Sequence, residues 1–376
     1  MTRKITFGVS SLAGITLMLV LMWPERERIL SGENDFISFY AGARLLGTPS
    51  LYNPARTRDL QLELIGTTGE ARSYFIRLPW FAALLWPICQ LPYKLSYAIW
   101  QILALLAVGG FACLWWRPSL GASVLGCCFS WPLCASFVNG QDVALLLLWI
   151  AGAAGLMRSG RPLLAGLVFS LCAAKFHLFL LIPLLILAQK LWRFGLGLLA
   201  GGAILLAGSS AVAGMNWPMQ YFATLTDQTI SPRVQLMSNL RAVFLHWPAA
   251  AWIQGLVVLS LILVAWYVFR KTDFEHAVAV ALAAGLLISY HSYVADSALL
   301  IPACLTILAG NPSLPSKFLA MALLMPIGYF FILIARPPPS LSTQIATVLL
   351  VYMAGFDVFR GTRNSARQAA QGIEPH

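Results

Sequence analysis

The length of the uncharged segments constrains this chain more than any other feature. Residues 5 to 23 (ITFGVSSLAGITLMLVLMW) carry no charge, and a helix of this length crosses a hydrocarbon core about 30 Å thick. Charged residues make up only 10% of the chain, against about a quarter in soluble domains. The sequence therefore predicts an all-α polytopic membrane protein with about 11–13 transmembrane segments. The further apolar segments lie at about 79–92, 95–116, 119–138, 142–157, 162–189, 194–213, 250–269, 277–295, 297–309, 317–335 and 341–359.

Two long connections interrupt the apolar segments and define the domain organisation. Residues 24–78 form the first connection and residues 214–248 the second, within one transmembrane domain over 1–360. In the first, YNPARTRDLQLELI predicts a helix with Asn53 as its cap and Pro54 in its first turn. The second is rich in aromatic and amide residues and is suited to the membrane interface. The basic tail, residues 361–376, is predicted to be disordered and cytoplasmic.

The N-terminal segment has two interpretations. MTRK resembles the basic start of a cleaved signal peptide, but no small-x-small cleavage site precedes the charged stretch WPERERIL. A retained transmembrane helix is therefore favoured, with the signal peptide as the alternative.

The segment 162–189 is bounded by basic residues on both sides. Because positive charge favours the cytoplasmic ends of membrane segments, both ends are expected on one side. This favours a hairpin of two short helices, with Lys175 and His177 near its turn. The alternative is one tilted helix, which leaves Lys175 within the bilayer at a cost of a few kcal/mol. The flanking residues are Arg158, Arg161, Lys190 and Arg193.

Polar groups beside apolar segments are candidates for function. The stretch ENDFISFYAGARLL follows the first apolar segment and contains Asp35, Tyr40 and Arg44. Asp35 is either a functional carboxylate or a helix N-cap. Arg77 precedes a helix that starts with proline, where a guanidinium either grips phosphate in bidentate fashion or extends to the interface.

Two further stretches carry candidate residues. In NGQDVALLLL, Asn139, Gln141 and Asp142 are suited either to bind sugar hydroxyls or to cap the next helix. Lys175 needs a permanent anionic partner, since its ammonium lies in an apolar segment. In SYHSYVADSALLIPA, the candidates His291, Tyr293 and Asp296 lie at a junction of two helices.

The sequence also argues against several function classes. No nucleotide-binding loop, HExxH, GxSxG or EF-hand pattern is present. The net charge of +11 comes mostly from residues at the ends of apolar segments, which indicates membrane anchoring rather than nucleic-acid binding. No cluster of carboxylates demands a metal, and no cofactor is expected. The set favours an anionic, lipid-borne ligand.

Five of these stretches, in order, resemble the signature blocks of glycosyltransferase family 87. Together they cover roughly residues 30 to 305, and their order and spacing are more specific than any one block. The resemblance implies a GT-C-type bundle with amphipathic juxtamembrane helices in the first extracytoplasmic loop. It also implies a hexosyltransferase, with polyprenol-phosphate-mannose-dependent alpha-mannosyltransferases as the typical members. The blocks are DFISFYAGARLLGTPSLYNP, FIRLPWFAALLWPICQLP, NGQDVALLLLW, SGRPLLAGLVFSLCAAKFHLFLLIPLLILAQKLWR and ISYHSYVADSALLIPA.

The resemblance implies roles for individual residues. Asp35, just after the first transmembrane helix, is placed as the catalytic base of an inverting transfer. Lys175 is placed to stabilise the departing phosphate, with Arg77 and Arg44 as further phosphate contacts. Family members commonly have Tyr-Pro-Pro where this chain has Arg77-Leu78-Pro79, and Lys-Pro where it has Lys175-Phe176. The residues expected to bind sugar or acceptor are Tyr40, Asn139, Gln141, Asp142, His177, His291, Tyr293 and Asp296.

The orientation of the first connection has conflicting indications. Its many arginines alone would place it in the cytoplasm, whereas the resemblance places it outside an inner (plasma) membrane. We expect the outside position, which requires 79–92 to be a partial or re-entrant helix, or Arg117 to face outward. The arginines are Arg26, Arg28, Arg44, Arg56, Arg58, Arg72 and Arg77.

The expected function is transfer of a sugar, mannose in the first place, from a polyprenyl phosphate to a glycolipid or glycan. A transporter or flippase of polyprenyl-linked sugars is the alternative, and a membrane scaffold without activity is a third hypothesis. The expected partners are membrane lipid, the donor and the acceptor.

Overall fold

The computed structural model describes residues 2–65, 74–115, 119–227, 233–245, 247–329 and 341–370, and these residues contain helices and no strand. The 3-10 helices are Trp23–Glu25, Ser170–Leu178, Val234–Leu236, Pro248–Ala250, Val294–Leu299 and Pro326–Tyr329. The α-helices are α1 (Thr2–Met22), α2 (Arg26–Ser31), α3 (Phe36–Leu45), α4 (Pro54–Ile65), α5 (Pro79–Cys89), α6 (Tyr93–Leu114), α7 (Leu120–Cys128), α8 (Trp131–Val138), α9 (Val143–Arg158), α10 (Pro162–Phe169), α11 (Ile182–Gln189), α12 (Trp192–Ala213), α13 (Trp217–Thr226), α14 (Leu240–Phe244), α15 (Ala251–Lys271), α16 (Phe274–Ile288), α17 (Leu300–Ala309), α18 (Leu314–Leu324) and α19 (Leu341–Ala370).

The helices confirm an all-α polytopic membrane protein. Within the described residues, five helical spans are long and apolar enough to cross a membrane, or six if the bent pair α7 and α8 counts as one. Most of the other predicted segments correspond to apolar helices of 10–17 residues, so many of the predicted segments are shorter than a full crossing. The five long spans are Phe7–Leu45, Tyr93–Leu114, Trp192–Ala213, Ala251–Lys271 and Leu341–Arg363.

The segment 162–189 is broken, as the hairpin interpretation requires. After α10 the chain tightens into the 3-10 helix, where Lys175 has non-helical backbone angles, and α11 begins at Ile182. A Cβ on Gly197 would lie 2.0 Å from the Leu163 carbonyl, and one on Gly201 would lie 2.2 Å from the Ser170 hydroxyl. The earlier residue of α12 thus lies beside the start of α10 and the later residue beside its end, so the two helices run in the same direction. The chain must therefore return through α11 between them. The hairpin is confirmed, and the single tilted helix is wrong.

The first connection is partly as predicted. Asn53 caps α4, because its side-chain oxygen accepts from the backbone N–H groups of Ala55 (3.0 Å) and Arg56 (3.2 Å). Helix α3, in contrast, is not an amphipathic interfacial helix: every residue from Phe36 to Ala43 is buried. Its aromatic rings stack inside the bundle, with Phe36 5.6 Å from Trp100 between ring centroids.

Helix α5 matches the partial helix that the outside orientation requires. Its 11 residues rise about 16 Å, which is about half of a hydrocarbon core. Arg117, the other way to reconcile the orientation, lies outside the described residues, as does Arg72.

The second connection contains α13, which has one buried and one exposed side. Trp217 and Thr224 are buried, whereas Met219 and Phe222 are exposed, as expected of an interfacial helix. At the C-terminus, α19 continues to Ala370. Residues 361–370 are therefore helical and not disordered, because the apolar helix propagates into the polar sequence that follows it. Residues 371–376 lie outside the described part of the chain.

Candidate functional site

Lys175 lies at the centre of a buried polar cluster. Its Nζ is 2.6 Å from Asp296 Oδ1, 2.9 Å from Asp142 Oδ1 and 2.9 Å from Gln141 Oε1. These acceptors come from two separate regions of the sequence, the adjacent residues Gln141 and Asp142 and the distant Asp296. Lys175 is only 3% exposed, and its three ammonium hydrogens have three acceptors. The non-helical backbone at Lys175, after α10, allows its side chain to reach these acceptors.

Arg77 completes the ionic part of the cluster. Its Nε donates to Asp142 Oδ2 (2.8 Å) and its Nη2 to Asp142 Oδ1 (3.3 Å). The guanidinium lies over the Phe39 ring at 5.3 Å, and the Arg77 carbonyl accepts from the Tyr52 hydroxyl (2.7 Å). Two cations and two carboxylates thus balance one another, as buried charges require. We refer to Arg77, Asp142, Lys175 and Asp296 as the ionic cluster.

Gln141 connects the ionic cluster to Asp35. Its oxygen accepts from Lys175 (2.9 Å), and its Nε2 donates to Asp35 Oδ2. The Asp35 backbone N–H also donates to the Asn139 carbonyl (3.0 Å). A carboxylate at the start of α3 is therefore fixed by the stretch that precedes α9.

Neither aspartate at a helix start acts as a cap. Asp35 precedes α3 and Asp142 precedes α9, and neither side chain makes a capping hydrogen bond. Asn34 does so in place of Asp35, since its Oδ1 accepts from the Phe36 N–H (3.1 Å). The capping alternative is thus wrong for both aspartates, and their carboxylates are directed at polar partners from distant parts of the sequence.

The turn at Gly140 places the stretch before α9 next to the residues before α3. Gly140 has φ of +60°, which favours glycine, and its carbonyl accepts from Trp100 Nε1 (3.0 Å). A Cβ there would lie 2.5 Å from Asn34 Oδ1. The turn therefore brings Asn139 and Gln141 against the residues just before α3.

Left-handed backbone strain alone costs an alanine about 1–2 kcal/mol. Gly140→Ala is expected to destabilise the fold by more than this, because the new methyl group also collides with Asn34. Gly160→Ala is the matched control: Gly160 has φ of +69° and nothing within 4 Å of the added Cβ, so it should show the strain alone. Thermal unfolding of the two purified variants measures the difference. Equal losses would mean that the Gly140 contact with Asn34 is unimportant.

An aromatic and histidine group borders the ionic cluster. The rings of His177 and His291 are 5.9 Å apart and those of His291 and Tyr293 are 4.8 Å apart. The Tyr293 backbone N–H donates to Asp296 Oδ2 (2.8 Å). Burial lowers the pKa of His291, which lies in the loop after α16, to about 4, and Asp296 opposes this effect. His291 is therefore neutral near pH 7.

Three predicted site residues have side-chain partners outside the ionic cluster. The Tyr40 hydroxyl donates to the Leu91 carbonyl (3.0 Å), and Arg44 Nη1 lies 3.4 Å from Gln90 Oε1. These two residues face the end of α5 and not the ionic cluster. Asn139 lies beside Asp35, but its side chain accepts from Arg28 Nη2 (2.5 Å).

Sequence reasoning missed Arg28 and Arg241 as residues of this region. Arg28 was counted only as one of several loop arginines. Arg241 stands in the second connection, outside the stretches that carried the argument, and its guanidinium lies 4.1 Å above the Tyr290 ring. The adjacent sequence SNL, in which an Asn precedes a short helix, was the only available signal.

The site contains a side chain that is suited to proton transfer. Asp35 is a carboxylate fixed by an amide, which suits a general base. Lys175 and Arg77 are already paired with carboxylates, so a phosphate would have to compete with Asp142 and Asp296 for them. Among the described residues, no group of three or more His, Cys, Asp and Glu side chains is arranged to hold a metal ion.

Comparison with known proteins gives one match. The sequence model of glycosyltransferase family 87 matches residues 75–292, which is more than half of the chain. No curated protein and no solved structure matches it. The matched range contains Arg77, Asp142 and Lys175 of the ionic cluster, together with Gln141, His177 and His291, whereas Asp35 and Asp296 lie outside it.

Proposed function

The chain belongs to glycosyltransferase family 87, and from this premise we propose that it moves a sugar from a polyprenyl-phosphate donor to a glycolipid or glycan acceptor, with inversion. Mannose is the first candidate for the sugar. The enzyme is then a membrane hexosyltransferase of the GT-C type that needs no metal or other cofactor.

The proposed reaction is a single displacement at the anomeric carbon. Asp35 takes the proton of an acceptor hydroxyl while that oxygen attacks the carbon from the face opposite the phosphate. The new carbon–oxygen bond forms as the bond to the phosphate oxygen breaks, and the polyprenyl phosphate leaves with the bonding electrons. One carboxylate is sufficient, because phosphate is a competent leaving group without protonation.

The Gln141 bridge is the observation that most supports this proposal. Its amide holds Asp35 while its oxygen is held by Lys175, so the carboxylate has a fixed position and a fixed hydrogen-bond donor. A base must lie within hydrogen-bond reach of the proton that it abstracts, and a fixed position makes that possible.

The ionic cluster acts in this proposal as a rigid support. Asp142 and Asp296 neutralise Lys175 and Arg77. In the observed arrangement the two cations therefore orient Gln141 and the ends of the neighbouring helices more than they bind the donor. His177, His291 and Tyr293 border the ionic cluster, where they would contact the sugar or the acceptor. Tyr40 and Arg44 lie on the side of α3 toward α5, where they would contact a lipid chain or its headgroup.

The proposed location is an inner (plasma) membrane, with Asp35 on the extracytoplasmic face. The protein is multi-pass, and the half-length helix α5 supports an outward position of the first connection despite its arginines. A lipid-linked donor is suited to that face, because a polyprenyl chain anchors the sugar in the membrane.

A transfer assay tests the proposal directly. Purified protein in lipid is incubated with a panel of polyprenyl-phosphate sugars and extracted glycolipid acceptors, and a nucleotide sugar serves as the soluble donor control. We expect product from one lipid-linked sugar and none from the nucleotide sugar. Product from the nucleotide sugar alone would overturn the lipid-linked donor.

One observation favours transport as the second candidate. A broken helix with charged side chains in the membrane, as at Lys175, is also the arrangement of transporter binding sites. A transporter would move a polyprenyl-linked sugar across vesicles without forming a product bond. Movement with no product from any acceptor would support it.

A further inference from the structure

Arg241 lies outside the ionic cluster and has no counter-charge among the described residues. No carboxylate of the described residues forms an ion pair with it, and its Nη1 is buried without a hydrogen-bond partner among them. Buried polar groups in native proteins are nearly always hydrogen-bonded. An unpartnered guanidinium nitrogen beside a polar site therefore indicates a ligand.

The segment that carries Arg241 is hydrogen-bonded to the loop after α16. The Ser238 N–H donates to the Ser292 carbonyl (2.8 Å), and Asn239 Nδ2 donates to the Ser289 carbonyl (2.9 Å). The Tyr290 ring then covers one face of the guanidinium at 4.1 Å. This cation–π contact restrains the plane of the guanidinium, whose edge is the part that binds phosphate oxygens in bidentate fashion.

The groups around Arg241 suit an anion. His291 lies in the loop against which Arg241 is held, and the charge of Arg241 is among the groups that lower its pKa. His177, next to His291, has a buried Nε2 that is also without a partner in the described part of the chain. Two nitrogens without a hydrogen-bond partner among the described residues, Arg241 Nη1 and His177 Nε2, thus belong to the region around His291.

We propose that Arg241, whose guanidinium lies against the Tyr290 ring next to His291 in the sequence, binds a phosphate group. This inference deepens the proposed function and rests on it in one respect: in the proposed reaction the phosphate is that of the polyprenyl donor. Lys175 and Arg77, which the resemblance assigns to this role, are already neutralised, whereas Arg241 Nη1 has no hydrogen-bond partner among the described residues.

Equilibrium binding to the full-length purified protein tests the proposal. The probe is a long-chain polyprenyl monophosphate, with the neutral polyprenol and inorganic phosphate as the other arms. Because a hydrogen bond to a charged group is lost, Arg241→Gln should weaken binding of the polyprenyl monophosphate by about 10- to 100-fold and leave polyprenol binding unchanged. Arg270→Gln, at the exposed end of α15, is the matched control and should bind as the unmodified protein does.

A second variant and the soluble phosphate arm make the test specific. Arg241→Lys keeps the charge but loses the planar fork, so an intermediate affinity is expected if Arg241 contacts phosphate. Should Arg241→Gln unfold earlier than the unmodified protein, Arg241→Lys alone decides the outcome. If inorganic phosphate binds as tightly as the polyprenyl monophosphate, the phosphate site stands and its ligand is a soluble phosphate; much tighter binding of the polyprenyl monophosphate assigns the lipid-borne phosphate.

The outcomes separate this inference from the proposed function. Unchanged affinity in both Arg241 variants would overturn the phosphate site, even if sugar transfer is observed. Loss of phosphate binding in a protein that transfers no sugar would support the site and count against the transferase mechanism.

Discussion

Asp35→Asn is expected to lower the rate of sugar transfer by about 10²- to 10⁴-fold, the usual contribution of a general base. Asparagine keeps an oxygen that accepts from Gln141, so the fold and the substrate affinity should change little. The amide cannot take a proton from the acceptor, and kcat should therefore fall while KM stays close to its original value. The transfer assay with the responsive donor measures both constants.

Asp59→Asn is the matched control for this experiment. Asp59 lies in the same connection, on α4. Its partly exposed side chain forms an ion pair with Arg56 at 3.7 Å. Its replacement should leave transfer unchanged. If Asp35→Asn retains full activity, Asp35 is not the base, and another carboxylate or a solvent molecule must take the proton.

Lys175→Met is expected to reduce the free energy of unfolding by about 3–5 kcal/mol, because it leaves a buried carboxylate without its cation. Asp142 keeps Arg77, but Asp296 loses the ammonium at 2.6 Å. Gln141 also loses the donor to its oxygen, so the position of Asp35 should become less fixed. Thermal unfolding of the purified protein measures the first effect, and the transfer assay measures the second.

The double variant Lys175→Met/Asp296→Asn distinguishes charge imbalance from lost packing. It restores neutrality in the ionic cluster and should recover most of the stability that the single variant loses. Lys271→Met, at the exposed end of α15, should have almost no effect. If the double variant is less stable than the single one, the cluster is held by its hydrogen bonds and not by charge balance.

The sequence predicted the elements that depend on local chemistry. The Asn53 cap follows from a side chain and two adjacent N–H groups, and the break near Lys175 follows from the basic residues on both sides of the segment 162–189. The resemblance to the five blocks also implied that Lys175 contacts the donor phosphate and that Gln141 and Asp296 contact the sugar or the acceptor.

The features that the sequence could not predict depend on tertiary contacts. Burial of α3 on all sides arises from rings that meet it from other helices, such as Trp100, and nothing in its own periodicity reports them. The pairing of Lys175 with two carboxylates requires three distant regions to meet. Arg241 was missed for the same reason, since its importance comes from the loop at Ser289 and Tyr290.

The amide of Gln141 has a consequence for the path of the proton. An amide side chain has no titratable proton near neutral pH, so it transmits hydrogen-bond polarisation from Lys175 to Asp35 but conducts no proton between them. In the proposed reaction, a proton taken by Asp35 cannot pass through this bridge into the ionic cluster. It must leave by a separate route, through water or the departing phosphate, and the charge balance of the buried cluster is insulated from each catalytic turnover.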